Sequence, residues 1–104
     1  VGGIDRSVYC ASKFAVEGFT KAMAIEWGPH NVRVNSICPT FIRTALTKKT
    51  FDDPERLAWV TEKIKLGRVG EVEDIMGGVV FLASDAAALI TGTSLLIDGG
   101  WTAG

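Results

Sequence analysis

Asn31-Val32-Arg33-Val34-Asn35-Ser36-Ile37-Cys38-Pro39 is the stretch on which the fold turns. It is short, carries the β-branched residues Val32, Val34 and Ile37, and is bounded by turn formers, so Asn31 to Cys38 reads as a strand. Pro39 ends it, because proline has no N–H to give to a ladder. Upstream, Ser7 to about Trp27 has helical periodicity, and Gly28-Pro29 stops it. Ala11, Phe14, Ala15, Phe19, Ala22, Met23 and Ile25 are apolar there, while Lys13, Glu17, Thr20 and Lys21 gather on one side. That apolar arc is wider than one core-facing stripe needs and predicts burial against two neighbours. Residues 1–7 are Gly-containing and polar, and read as loop.

Downstream of Pro39, Thr40 to Thr50 shows no clear period. Asp52-Asp53-Pro54-Glu55 is then a helix start, with Asp53 as cap and Pro54 at the first helical position. Leu57, Val60 and Ile64 follow at helical spacing, and Gly67 closes that helix. An excursion of this length between strand and next long helix tends to be functional, often a lid. Glu71 to about Ser84 is the next helix, with Val72, Ile75, Val79 and Leu82 on one face. Gly77-Gly78 inside it costs roughly 1 kcal/mol per glycine against alanine, which predicts close backbone packing there. Thr91 to Ile97 reads as a second strand and Asp98-Gly99-Gly100 as the turn after it. A strand–helix–strand unit implies a parallel pair with a right-handed crossover. Two parallel strands seldom stand alone, so more of the sheet is expected upstream.

The chain has 104 residues, the size of one small domain, with 47% hydrophobic and 22% charged residues, which excludes a disordered chain. Its formal net charge of -1, from 11 basic and 12 acidic residues, gives no reason to expect nucleic acid as partner. No apolar stretch is long enough to cross a bilayer, and no charged-then-apolar leader is visible, so we expect a cytoplasmic protein with no membrane partner. The chain opens on Val1-Gly2-Gly3 instead of methionine, and we expect it to be a piece of something longer. Cys10 and Cys38 stand far apart and read as core thiols, with a disulfide or a reactive thiol as the alternatives. One histidine, His30, and no Cys-x-x-Cys pair argue against any metal site. His30 follows Gly28-Pro29 and reads as a surface turn residue.

Tyr9 and Lys13 are four residues apart on the first helix and so lie on one face. A phenol titrates near pH 10 and is a poor acid or base at neutrality. A fixed ammonium within about 4–6 Å favours the phenolate, which makes such a pair a proton donor and acceptor. Alone, a Tyr-x-x-x-Lys spacing is weak and usually surface decoration.

Its context is specific. Tyr9-Cys10-Ala11-Ser12-Lys13, followed by an Ala- and Phe-rich helix, resembles the active-site helix of the short-chain dehydrogenase/reductase family. Arg33-Val34-Asn35-Ser36-Ile37-Cys38-Pro39 resembles that family's strand leading into its cofactor-contacting loop. Leu66-Gly67-Arg68 with Glu71-Val72-Glu73-Asp74-Ile75 resembles the entry to its last long helix. Phe81-Leu82-Ala83-Ser84-Asp85, Thr91-Gly92 and Asp98-Gly99-Gly100 are similar to its C-terminal strand and turn. The motifs occur in order over essentially the whole chain.

The resemblance implies an α/β fold: the C-terminal part of a Rossmann-type, doubly wound parallel sheet, in a single domain over residues 1–104, with the N-terminal dinucleotide-binding half missing. It implies an oxidoreductase that interconverts a small-molecule alcohol and its ketone or aldehyde, using NAD or NADP. Tyr9 would be the general acid in reduction and the base in oxidation; Lys13 would hold the nicotinamide ribose hydroxyls. Ser12 matches a small residue of the motif and not the catalytic serine. Pro39-Thr40-Phe41-Ile42-Arg43-Thr44 falls on the family's cofactor loop, with Pro39 opening it, the Ile42 backbone against the nicotinamide carboxamide, and Thr44 near carboxamide and phosphates. An ordinary loop hydroxyl is the alternative for Thr44. Thr40 stands where the family usually has glycine, which tolerates φ values that threonine does not. Residues 40–66 would be the substrate lid, with Phe41 and Leu46 lining the pocket or, equally, packing a core.

No G-x-x-x-G-x-G turn is present, and the substrate-polarising serine and the residue that separates NAD from NADP would lie before Val1. A chain without those parts is expected to be inactive and at most to associate through its helices; an epimerase or dehydratase with the same Tyr/Lys pair is a further reading. The resemblance also implies a homodimer or homotetramer, with the first helix packed on its symmetry mate. A charge introduced at Phe19 or Ala22 should therefore loosen assembly of the complete protein. Elution of such a variant at the parent's size on a sizing column would exclude that helix as the interface.

Overall fold

A computed structural model describes residues 5–104. The first four residues of the loop expected over 1–7 lie outside the described residues. Helix α1 (Ser7–Trp27) runs into a 3-10 turn at Gly28–His30, then comes strand β1 (Ser36–Pro39). The excursion after β1 holds two helices, α2 (Lys48–Phe51) and α3 (Pro54–Lys63). Helix α4 (Val72–Ala83) and strand β2 (Ser94–Ile97) complete the crossover, and a 3-10 turn at Trp101–Ala103 follows. The strands pair in parallel, Ser36 opposite Ser94 through Pro39 opposite Ile97. Helix α2 falls inside the stretch that showed no clear period.

Both strands are shorter than their sequence patterns. The reason is Asn35, whose side chain stands in for backbone pairing: its amide donates to the Ile90 carbonyl at 2.9 Å and accepts from Thr93 N–H at 3.1 Å. Arg33 likewise spends its guanidinium on the carbonyls of Leu82, Ser84 and Ile90. Arg33 and Asn35 thus tie the segment before β2 by side chains and Val34 by its carbonyl, which accepts from Gly92 N–H at 2.7 Å, and the ladder proper begins at Ser36. Pro39 is the last ladder residue instead of lying just past it, and Thr40 N–H donates onward to the Ile97 carbonyl at 3.3 Å.

The helices cover opposite faces of this sheet. Ile97 and Leu95 point towards α4: a Cβ at Gly78 would sit 2.7 Å from Ile97 Cδ1 and 3.1 Å from Leu95 Cδ2. Of the paired glycines, Gly78 is therefore the one that lets backbone approach sheet. On the other face Ser36, Cys38 and Ser94 meet Glu17 of α1. Of the apolar residues of α1, Ala24 is buried and Met23 half-buried, while Phe14 is 62% exposed and Phe19 64% among the described residues. On its polar side Thr20 is buried and Glu17 half-buried against the sheet, and Lys13 and Lys21 are exposed.

The buried core lies elsewhere, under the excursion at the carboxyl ends of the strands. Phe51, Val60, Ile64 and Val69 form it, with Phe41, Leu57 and Trp101 packed against them. Trp101 stacks tilted on Phe41, centroids 5.5 Å apart, and meets Trp59 edge-on at 5.9 Å. Asp53 caps α3 as expected, accepting from Glu55 N–H at 3.0 Å, with Pro54 the first helical residue. At the start of α4, Asp74 accepts from Glu71 N–H at 2.7 Å and from Arg68 through both carboxylate oxygens, at 2.7 and 2.8 Å.

The turn after β2 closes this core. Gly99 has φ +60, and a Cβ there would fall 2.6 Å from Cγ2 of the buried Ile64. Leu66 N–H donates to the Gly99 carbonyl at 3.0 Å, so the turn lies directly on the excursion. Gly99→Ala combines left-handed backbone strain with a clash against a β-branched side chain, and should cost about 1–3 kcal/mol. Urea denaturation of the full protein measures it; an unchanged midpoint would show that the turn can lift off Ile64 freely.

Candidate active site

Tyr9 and Lys13 occupy the first two turns of α1, with Lys13 Nζ 5.4 Å from the Tyr9 ring centroid. Ser12 turns its hydroxyl back on the Tyr9 carbonyl at 2.7 Å, which spends it locally. Among the described residues Lys13 has no carboxylate within ion-pair reach. Tyr9 is 59% exposed among the described residues.

Contacts further along α1 fix its direction. Lys21 Nζ donates to the Gly92 carbonyl at 3.1 Å, ahead of β2, and Glu17, one turn earlier, meets Ser94 and Ser36 at the start of the strands. The helix is therefore antiparallel to both strands, and its N-terminal turns extend over their carboxyl ends. Pro39, Ile42 and Thr44 follow β1 at that same end. The carboxyl ends of strands in an open α/β sheet are where ligands bind.

The loop after β1 is held by two attachments. Ile42 forms a parallel bridge with Gly70, made by Arg43 N–H to the Gly70 carbonyl at 2.8 Å and Gly70 N–H to the Phe41 carbonyl at 2.9 Å. This turns Ile42's own N–H and C=O away from Gly70. The Ile42 carbonyl accepts from the Thr47 hydroxyl at 2.7 Å, and its N–H has no partner among the described residues. Thr44 N–H donates to the same Thr47 oxygen at 2.9 Å. Thr47 is thus the hub of the loop, and reading the sequence missed it. A threonine three residues after Thr44, at the entry to a helix, is the signal that pointed there.

Thr40 needs no glycine-like backbone: the described non-glycine residues with positive φ are Asp5 and Asn31. Phe41 packs in the buried core, while Leu46 is 91% exposed and lines none of it. Cys10 and Cys38 are free thiols, half-buried instead of core, and Cys38 Sγ lies 3.5 Å from the Glu17 carboxylate. His30 is exposed in its turn. No group of His, Cys, Asp or Glu among the described residues could hold a metal ion. None of the described helices is long and apolar enough to cross a membrane.

Three carboxyls are held ionised. Hydrogen bonds from Ser94 and then Ser36 lower the pKa of Glu17 against the opposing effect of burial. The Thr102 hydroxyl, with the N–H groups of Gly100 and Thr102, lowers that of Asp98. Arg68 and the Glu71 N–H hold Asp74 far below the usual carboxylate range. For Cys38 the direction is reversed: burial, then the Glu17 hydrogen bond, push the thiol up.

Over residues 1–102 the chain matches the family model described as enoyl-(acyl carrier protein) reductase. The chain belongs to the short-chain dehydrogenase/reductase family. It is 50% identical over 100 residues to D-threitol dehydrogenase of Mycolicibacterium smegmatis, covering 95% of this chain and 38% of that protein. Among solved structures it is similar to 4-hydroxyisoleucine dehydrogenase complexed with NADH, at TM-score 0.91 and 45% identity over 94% of this chain and 40% of that one. It is also similar to a gluconate 5-dehydrogenase from Burkholderia cenocepacia in complex with NADP and tartrate, at TM-score 0.89 and 33% identity over 92% of this chain and 38% of that one. The chain spans about two-fifths of the length of the curated relatives it matches.

The acid side of stability follows from the three carboxyls. Each has a folded-state pKa below its unfolded value, so its contribution is present above the unfolded pKa, near about 4, and is lost as pH falls through the folded value. The denaturation midpoint should therefore hold between neutrality and about pH 5 and drop below about pH 4. Chemical denaturation of the protein across that range checks this, and a midpoint that rises on acidification contradicts it.

Proposed function

We propose that this chain is the C-terminal part of an NAD(P)-dependent oxidoreductase that interconverts a small polyhydroxylated alcohol and its ketone or aldehyde. The single observation that carries this reading is the Tyr9–Lys13 pair on a helix antiparallel to the strands, which directs it towards their carboxyl ends, the end from which the loop with Ile42 leaves β1. When bound, NAD or NADP supplies or accepts the hydride. In reduction Tyr9 gives its phenolic proton to the carbonyl oxygen of the substrate; in oxidation it takes the hydroxyl proton. Lys13, which has no carboxylate partner among the described residues, would hold the ribose hydroxyls beside the phenol. Pro39 would open the cofactor loop, the Ile42 backbone would meet the nicotinamide carboxamide, and Thr44, braced by Thr47, would lie near carboxamide and phosphates. Residues 40–66 form the lid over the substrate.

The carbohydrate class is supported by the relatives' names: D-erythrulose reductase, L-xylulose reductase, D-threitol dehydrogenase and 2-dehydro-3-deoxy-D-gluconate 5-dehydrogenase all act on short sugars, sugar acids or polyols. The description of the family model names an enoyl reductase, but these relatives are 39–50% identical to this chain and favour the carbohydrate reading.

We propose further that the preceding part of the domain supplies the rest of the sheet, the glycine-rich phosphate turn and the substrate-polarising serine. The exposed apolar residues of α1 and α4, Phe14, Phe19, Ile25, Val79 and Val80 among them, support a covering by that part and by a second copy in a homodimer or homotetramer.

The test uses the full-length protein, with D-threitol and NAD+ or NADP+ in one direction and D-erythrulose and NADH or NADPH in the other. Turnover should be measurable with one of these pairs. Tyr9→Phe should lower kcat by at least about 100-fold, the scale of a lost general acid or base. NADH or NADPH binding, followed by fluorescence, should be nearly unchanged. A Tyr9→Phe enzyme with parental turnover overturns the reading.

A further inference from the structure

Glu17 lies one helical turn from Lys13 and two from Tyr9, on the stripe of α1 that faces the sheet. Its carboxylate accepts from Ser36 Oγ at 2.8 Å and from Ser94 Oγ, and Cys38 Sγ stands 3.5 Å away. Ser36 and Ser94 are direct partners in the parallel ladder, and their hydroxyl oxygens are 3.0 Å apart. One carboxylate therefore ties the helix to both strands at a single level.

Among the described residues few other contacts of α1 fix that level. The buried residues of α1 are Thr20 and Ala24. Thr20 turns its hydroxyl back on the Val16 carbonyl at 2.8 Å, within the helix. Ala24 lies against Gly92, where a Cβ would be 3.3 Å away; a contact between small groups limits approach but not sliding. Lys21 is a flexible chain reaching one carbonyl. Hydrogen bonds to a charged acceptor are short and directional, so displacement by one helical residue, about 1.5 Å of rise, breaks the set at Glu17.

The level matters for the proton-transferring pair. Eight residues of helix separate Tyr9 from Glu17, about 12 Å along the axis. Ser36 to Pro39 spans about 10 Å of strand. With the helix antiparallel to the strands, this places Tyr9 just past their carboxyl ends, where the cofactor loop begins. A shift of one residue would carry it out of reach and rotate it by about 100°.

We propose that Glu17, through Ser36 and Ser94, is the positioning residue that sets the height and rotation of Tyr9 and Lys13 over the strand ends. The proposal rests on the dehydrogenase reading for its catalytic consequence, though not for the anchoring itself. Glu17 touches neither substrate nor cofactor in this arrangement; it acts through the helix.

Glu17→Ala, Glu17→Gln and the double variant Ser36→Ala/Ser94→Ala are compared with the parent in the full-length protein, using D-threitol and NAD+ or NADP+. A misplacement on the 1 Å scale lowers turnover by about 100-fold. Glu17→Ala should therefore lower kcat by about that factor, with KM for D-threitol changed only slightly. Glu17→Gln keeps a carbonyl oxygen for one serine and should recover most of the loss; the double serine variant should reproduce Glu17→Ala. Hydrogen exchange on the protein without cofactor supplies the second readout. Residues 9–16 should exchange faster in Glu17→Ala, while residues 20–27 stay as in the parent.

Parental kcat in Glu17→Ala overturns the proposal, as does a loss fully accounted for by the unfolded fraction. If the parent turns over none of these pairs, or Tyr9→Phe is fully active, the dehydrogenase reading fails and hydrogen exchange decides the anchoring alone. Equal exchange of residues 9–16 in parent and variant then overturns it.

Discussion

Everything in this chain is arranged around a parallel pairing of two four-residue strands, Ser36–Pro39 with Ser94–Ile97. A parallel pair cannot be closed by a tight turn, so the chain must cross over, and it does so through the 40–69 excursion and α4. The pairing also fixes which side chains face which helix, because alternate residues point to opposite faces. Ile97 and Leu95 meet α4 across Gly78; Ser36, Cys38 and Ser94 meet α1. It brings both strand carboxyl ends to one place, from which the loop after β1 and the Asp98-Gly99-Gly100 turn leave and towards which α1 directs the tyrosine–lysine pair.

What was legible in the sequence was local chemistry with one solution. Asp53-Pro54 caps and starts a helix whatever surrounds it, and Asp98-Gly99-Gly100 makes a turn because two successive positive φ angles suit glycine. The helix over Ser7–Trp27 was legible for its length and period. The strand lengths were not, because Asn35 substitutes a side chain for backbone pairing and periodicity carries no sign of that. Helix α2 was hidden for a different reason: four residues carry too little period to stand out.

The seating of α1 was legible only in part. Its apolar arc is too wide for one neighbour, and Lys13, Glu17, Thr20 and Lys21 gather on one side, but periodicity does not say which side meets the strands. Serines at Ser36 and Ser94 match a carboxylate better than they match phenylalanine, so Glu17 turns towards them, while Phe14 and Phe19 stay exposed among the described residues. Of the site residues, spacing put Tyr9 and Lys13 on one helical face, and their proposed role came only from the motifs around them. Thr47 could not, because its part in the loop comes from two hydrogen bonds that exist only once the chain has bent back on itself.

The two halves of the candidate site are held by different forces, and the difference suits the roles proposed for each. The excursion rests on an aromatic floor, Phe41, Phe51, Trp59 and Trp101 in tilted and edge-on contact, where interaction energy changes slowly with small displacements. A segment that covers a ligand can settle on such a floor in slightly different poses. A proton donor has no such latitude, since transfer needs heavy atoms within about 2.6–3.2 Å. Helix α1 is accordingly seated by charge-assisted hydrogen bonds, which are lost over the distances that spoil proton transfer. In the proposed reading Glu17 therefore works as part of the site: a helix seated only by its apolar side chains would fix Tyr9 less sharply than that chemistry requires.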